Sequence, residues 1–210
     1  MASVPATTGF SRKTATTPWQ KLYAFLIHRR IPITGFLFVV LILEDVWERT
    51  SPHNLTNLTD YKVLLGLGLV LCGLALRSWA AGTLHKRRVL TTSGPYGLVR
   101  HPLYIGSFMM MIGFCVLIDD AENIYFVLGP VLAIYLARAL NEERNLAAAF
   151  PEQWTEFARK VPRLFPRHLP KQAFSSWSLK QWINNREYQA VSATILGLVA
   201  LQIWQMLENL

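Results

Sequence analysis

Apolar residues run together in five stretches, at about 31–47, 61–81, 103–118, 123–140 and 189–207, each bounded by polar or charged positions. Crossing a bilayer takes about 20 apolar residues in a helix. The second and fifth stretches are long enough; the first, third and fourth are short or interrupted. Pro32 suits a helix start, whereas Pro130 should kink the fourth stretch. The pattern predicts an all-α polytopic membrane bundle of about five transmembrane helices. The Gly66-Leu67-Gly68 run, Gly35 and Gly197 are read as close packing between spans.

Between the fourth and fifth stretches the period changes. In 141–188, Leu146, Phe150, Trp154, Phe157 and Val161 recur at helical spacing and form one apolar stripe. Pro151 should divide this into two short helices, because proline breaks an interior but fits a first turn. The expectation is a small helical cap lying against the bilayer. Farther on, Ser178 and Gln181 fit a capping box opening a helix into the fifth span, with Trp177 and Trp182 as interfacial anchors.

Composition and charge sharpen this picture. Of the 210 residues, 52% are apolar and 16% charged, against roughly 25% charged in soluble domains. Residues 1–30 form a polar N-terminal segment that does not resemble a cleaved signal peptide, and 31–210 a membrane domain. Cys72 and Cys115 both sit in apolar runs, so neither a disulfide framework nor a metal cluster is expected. The net charge of +8 comes without a nucleic-acid-binding motif, so no nucleic-acid partner is expected. The basic residues cluster before the first stretch, between the second and third (Lys86, Arg87, Arg88, Arg100), and through 138–189. Acidic residues crowd the opposite connections, at Glu44, Asp45, Glu48, Asp60, Asp119, Asp120 and Glu122. By the positive-inside rule the N-terminus and the basic loops face the cytoplasm and the C-terminus faces away.

Candidate chemistry gathers on that cytoplasmic face. In GPYGLVRHPLYIG, residues 94–106, the Ser93-Gly94-Pro95 turn is followed by Tyr96, Arg100, His101 and Tyr104 at the mouth of the third span. Pro102 biases His101 toward extended geometry. On its own, His101 reads equally as an interfacial histidine. In ARALNEERNLAAAF, residues 137–150, Arg138 and Glu142 stand four apart on one helix face, the spacing of an ordinary ion pair. Glu143 points elsewhere, toward solvent or a basic loop residue. Arg77 inside the second span is either a buried charge or a side chain snorkelling to the interface. Zinc-ligand spacings, a Walker loop, a GxSxG elbow and a GxGxxG turn are all absent from the sequence.

Together, Leu90-Thr91-Thr92-Ser93-Gly94-Pro95-Tyr96 and Arg100-His101-Pro102-Leu103-Tyr104-Ile105-Gly106 resemble the signature of the isoprenylcysteine carboxyl methyltransferases, much of it shared with phospholipid methyltransferases. Arg138, Glu142-Glu143, Leu146, Phe150, Val161-Pro162-Arg163 and Pro166 continue the match. The resemblance covers about 60–170 and does not extend clearly to the first span or the last. It implies an integral membrane enzyme using S-adenosylmethionine. Arg88, Val89, Leu90, Thr91, Tyr96, His101, Pro102, Leu103, Tyr104 and Glu142 are the positions it implies for the cofactor. Arg138 is the position it implies for the methyl acceptor, as substrate-binding and catalytic residue. Trp154 and Phe157 stand where the family commonly has tyrosine, a difference in the cap that bears on acceptor identity.

The expected reaction is methylation of a carboxylate on an isoprenoid-bearing or lipid-like acceptor drawn from the membrane. Three alternatives stand beside it. One is N-methylation of a phospholipid amine, with His101 or Glu143 as base. Another is an NADPH-dependent membrane reductase of related fold, with Lys86, Arg87 and Arg88 on the 2′-phosphate. The third is a non-catalytic membrane protein. The acceptor, the oligomeric state and the host membrane are not fixed by the sequence.

Overall fold

The computed structural model describes residues 30–48, 50–85, 89–166 and 177–209, with side chains from residue 39 onward. Among these residues every regular element is helical. Helix α1 spans Arg30–Trp47, α2 Tyr61–Thr83, α3 Pro102–Ile118 and α4 Ala121–Ala149. Then come α5, Pro151–Lys160, the short α6, Leu179–Asn184, and α7, Glu187–Glu208.

The five expected stretches each become a helix, but they are unequal. Helices α2, α4 and α7 are long and apolar enough to cross a membrane, whereas α3 is apolar but has 17 residues. At 1.5 Å per residue α3 is about 25 Å long, a little short of the hydrocarbon core. Helix α1 has 18 residues and carries Arg30, Glu44 and Asp45. Pro130 acts as expected: a wide π-type turn, Val127–Val131, interrupts α4 around it. Pro151 begins α5 directly after Phe150, dividing the cap helices as anticipated.

Helices α2 and α3 form the tightest seam. A Cβ on Gly73 would fall 2.6 Å from the carbonyl oxygen of Gly106, and one on Gly113 2.7 Å from that of Gly66. Only a hydrogen fits at such a distance, so four glycines let the two backbones touch. Gly197 likewise meets the Phe114 ring at 3.1 Å, but Gly68 faces open space, contrary to the close packing expected of it. Gly35 lies outside the described side chains. Against the α2–α3 seam, Leu117, Ile118, Val70 and Leu201 form the buried apolar cluster that brings in α7.

Arg77 of α2 does not snorkel. Its Nε and Nη2 donate to Oε1 and Oε2 of Glu187 at 2.9 and 3.0 Å, and its Nη1 to Ser107. Glu187, at the first turn of α7, is 3% exposed, so one fork joins α2 to α7 beside α3. The capping box at Ser178 does not form either: Ser178 precedes α6 without a side-chain cap bond. The helix also does not run on into the last span, because Arg186 sits at φ 57° between α6 and α7. Instead Asn185 Nδ2 donates to the carbonyls of Ala81 and Leu84 at 2.7 and 2.9 Å, satisfying acceptors at the end of α2. Trp177 is not a free interfacial anchor; its Nε1 donates to the Ser78 carbonyl, and its indole fills the space a Cβ on Gly82 would take.

Two polar ends result. At one, His53 stands between Asp60 and Asp119 at 2.9 and 3.2 Å, Lys62 pairs with Asp119, and Asn123 donates to both oxygens of Asp45. The other gathers the end of α2, the start of α3, the end of α4, the cap helices and the start of α7.

Candidate functional site

The motif loop is shaped by its punctuation. Gly94 takes φ 60°, a left-handed conformation that glycine adopts without strain, and Gly94–Gly97 make one 3₁₀ turn. The chain then runs to His101, whose φ of −127° and ψ of 55° lie outside the helical region before Pro102 starts α3. The turn and the bend expected at these residues are both present.

Four of the candidate residues converge here. The Tyr104 hydroxyl donates to Glu142 Oε2 at 2.7 Å. His101, buried, stacks on the Tyr104 ring at 5.4 Å, and Tyr135 meets that ring edge-on at 5.6 Å. The Tyr96 hydroxyl is buried and has no hydrogen-bond partner among the described residues. Its burial, reinforced by the nearby Glu142 carboxylate, pushes the phenol above its ordinary range.

An Arg138–Glu142 ion pair, the ordinary alternative at that spacing, is not formed among the described residues. Spacing puts the two on one face, but Tyr104 engages Glu142, and the Nε of Arg138 is buried without an acceptor. An unsatisfied buried guanidinium N–H is costly, and Arg138 stands one turn from Glu142 on α4. A guanidinium whose Nε lacks an acceptor among the described residues and an occupied carboxylate are thus about 6 Å apart along one helix.

The remaining candidates are more scattered. Pro102 is fully buried as the first residue of α3, and Leu103 is half-buried with its carbonyl accepting from Ser107. The Thr91 hydroxyl accepts from the His85 amide at 3.1 Å, Leu90 is half-buried, and Val89 is exposed. Arg88 lies outside the described residues, as do Lys86 and Arg87.

Glu143 was expected at solvent or on a basic loop residue; it is buried and central. It accepts from Arg100 Nη1 at 3.2 Å, lies 3.2 Å from His101 Nε2, and takes a fork from Arg163 Nε and Nη2 at 3.0 and 2.9 Å. Arg100 further donates through Nε to Val161 O at 2.8 Å and through Nη2 to Ala158 O, and lies over the Trp154 ring. The apolar stripe of the cap therefore faces protein as well: Phe157 is buried and Trp154 packs under Arg100. Arg100, His101, Glu143 and Arg163 of this hub all stand in the motif stretches of the sequence; Glu187 and Tyr135 carried no signal.

Neither of two surface cavities contains Tyr104 or Glu142. A polar one of about 410 Å³ lies across Arg100, lined also by Arg159 and Arg163. An apolar groove of about 330 Å³, between Ile42, Phe114 and Leu201, opens toward the opposite end of the bundle.

A family model described as Phospholipid methyltransferase matches residues 61–153, which takes in the glycine seam, the motif loop and Glu142. The cobalt-zinc-cadmium resistance protein CzcN of Cupriavidus metallidurans is 34% identical over 154 residues, covering 71% of this chain and 67% of that protein. The nickel-cobalt-cadmium resistance protein NccN of Alcaligenes xylosoxydans is 30% identical over 148 residues, 70% of this chain and 68% of that one. A protein-S-isoprenylcysteine O-methyltransferase of Schizosaccharomyces pombe is 26% identical over 129 residues, 61% of this chain and 53% of the enzyme. No solved structure matches.

Proposed function

Because the chain belongs to the isoprenylcysteine carboxyl methyltransferase and phospholipid methyltransferase family of integral membrane methyltransferases, we propose that it methylates a carboxylate on an isoprenoid-bearing or lipid-like acceptor, with S-adenosylmethionine as donor. The single observation that carries the carboxylate is Arg138, whose buried Nε has no acceptor among the described residues while the neighbouring Glu142 is engaged by Tyr104. An anion is the ligand such a guanidinium lacks, and a carboxylate meets its fork in two parallel hydrogen bonds.

S-adenosylmethionine supplies an electrophilic methyl on a cationic sulfonium. Glu142 offers the negative charge suited to the donor's cationic groups, held in place by the Tyr104 hydroxyl. The faces of Tyr96, Tyr104 and His101 offer π surface to an adenine or sulfonium. Arg138 would orient the acceptor oxygen toward the methyl, which the bound sulfonium would supply to that oxygen, its methyl–sulfur bond breaking as the methyl–oxygen bond forms. Both charges disappear in that step, which a site shielded from water favours, and holding the partners in line supplies much of the acceleration. No proton has to move.

A phospholipid amine would need a base to take its proton. His101 and Glu143 are the nearest candidates, and they are committed to each other and to Arg100 and Arg163. Calorimetry in detergent with S-adenosylhomocysteine and with NADPH separates the methyltransferase from a reductase: binding of the first alone is expected, and binding of NADPH alone would discard this reading. Lipid extract incubated with methyl-labelled donor should then yield a base-labile methyl ester; a labelled amine instead would replace the acceptor class.

We also assign the end bearing the motif loop and the cap to the cytoplasm, from the clustering of basic residues there. Cysteines placed at Ser51 and Glu152, both exposed, in a background lacking Cys72 and Cys115, report on the two ends. In sealed right-side-out vesicles an impermeant thiol reagent should label position 51 and spare 152. The reverse pattern would invert the topology and close the cytosolic route for the cofactor.

A further inference from the structure

The Val161-Pro162-Arg163 segment has no part in the chemistry above, yet two bonds seat it on the motif loop and a fork ties it to α4. The Arg100 amide donates to the Pro162 carbonyl at 2.9 Å, Arg100 Nε donates to the Val161 carbonyl at 2.8 Å, and Arg163 forks onto Glu143. Arg163 is itself 57% exposed on its side chain, so it reaches inward from the surface of the cap to a carboxylate only 10% exposed. On the far side of that carboxylate stands His101, then the stacked Tyr104 ring, then the hydroxyl on Glu142. Cap and site are therefore ends of one chain of contacts: Arg163, Glu143, His101, Tyr104, Glu142.

We propose that Glu143 and Arg163 are positioning residues of the methyl-transfer site, holding His101 and through it the Tyr104 ring in the pose that places the Tyr104 hydroxyl on Glu142. This rests on the cofactor reading of Glu142 given above and extends it to two residues that touch no ligand. Glu143 is the hub, because it alone accepts from the loop on one side and from the cap on the other. Arg163 is the adjustable arm, because its fork orients the Glu143 carboxylate that His101 leans on. A lysine would keep the charge but lose the two-pronged geometry.

The test uses the full chain in detergent, with Arg163→Gln and Arg163→Lys as the informative variants, because Glu143→Gln leaves two arginines facing a neutral amide and endangers folding. Arg159→Gln, which removes a cap charge not bonded to Glu143, is the control. Two readouts are taken: amide hydrogen exchange over 98–108, and S-adenosylhomocysteine affinity alone and combined with Tyr104→Phe. Arg163→Gln should raise exchange across Arg100–Tyr104 and weaken affinity by about three- to tenfold, with Arg163→Lys intermediate and Arg159→Gln like wild type. The Arg163→Gln/Tyr104→Phe double variant should bind within about twofold of Tyr104→Phe alone, since both act through one hydroxyl. Losses that multiply, or faster exchange with unchanged affinity, would overturn the proposal and leave a structural clasp. Unchanged exchange in Arg163→Gln overturns it whatever the cofactor. A wild type that binds no S-adenosylhomocysteine refutes the cofactor reading, while the exchange readout still decides whether Arg163 holds the loop.

Discussion

Arg138→Lys should lower methyl transfer by roughly a hundredfold or more while S-adenosylhomocysteine affinity stays within a few fold. A lysine keeps the positive charge, so any loss beyond simple charge reports the geometry of the guanidinium fork. A hundredfold corresponds to about 2.7 kcal/mol at the transition state, of the order expected when a charge-assisted contact is lost. Among the described residues Arg138 has no ion-pair partner and its Nε is buried without an acceptor, so this substitution breaks no ion pair there. Thermal stability should accordingly hold. If stability, cofactor affinity and turnover fall in parallel, Arg138 is a structural residue and the assignment to the acceptor is lost.

Glu142→Gln should weaken cofactor binding by about ten- to a hundredfold. The amide has the shape of the carboxylate and can still accept from the Tyr104 hydroxyl, a bond of 2.7 Å in the native protein. What disappears is the negative charge facing the donor's cationic groups, a contact worth roughly 1.5–3 kcal/mol. Calorimetry on the folded variant measures it directly, and an affinity equal to that of wild type would remove Glu142 from the cofactor site. Tyr104→Phe is the companion measurement: it spares the charge and removes only its orientation, so a smaller loss is expected. With Arg138→Lys, the pair separates donor from acceptor recognition on adjacent turns of α4.

Much of this architecture was legible from local pattern. The five apolar stretches became α1, α2, α3, α4 and α7, and Pro130 and Pro151 interrupted helices where their ring chemistry requires. The loop through Tyr96, His101 and Tyr104 was legible as well, because Gly94 and the prolines fix its bends within a few residues. Pairings across long separations were not. Spacing placed Arg138 and Glu142 on one helix face and left an ion pair open as the ordinary alternative, but it could not show that a tyrosine 38 positions away reaches that carboxylate. Arg77 was legible as a buried charge or a snorkelling side chain; the structure bears out the first, but its partner, Glu187, lies 110 residues downstream and could not be read from spacing. For Glu143 the sequence left solvent or a basic loop residue open; Arg100 of the motif loop is such a residue, whereas His101 and Arg163 join it only because the folded bundle brings loop and cap together. Helical periodicity reports the face a residue occupies; which charge another segment brings there is a property of the tertiary structure.

The Arg77–Glu187 fork also sets an order of events. Ribosomes add about 5–20 residues per second, so α2 exists for roughly 5–20 s before the counter-charge of Arg77 has been made. For that interval a guanidinium stands at the membrane with no carboxylate to meet it, and an unpaired charge resists entry into hydrocarbon. The second span is therefore expected to stay shallow, or sheltered by the insertion machinery, until α7 arrives and draws it to full depth. Nascent chains stalled before Glu187 should show that end of α2 still open to water.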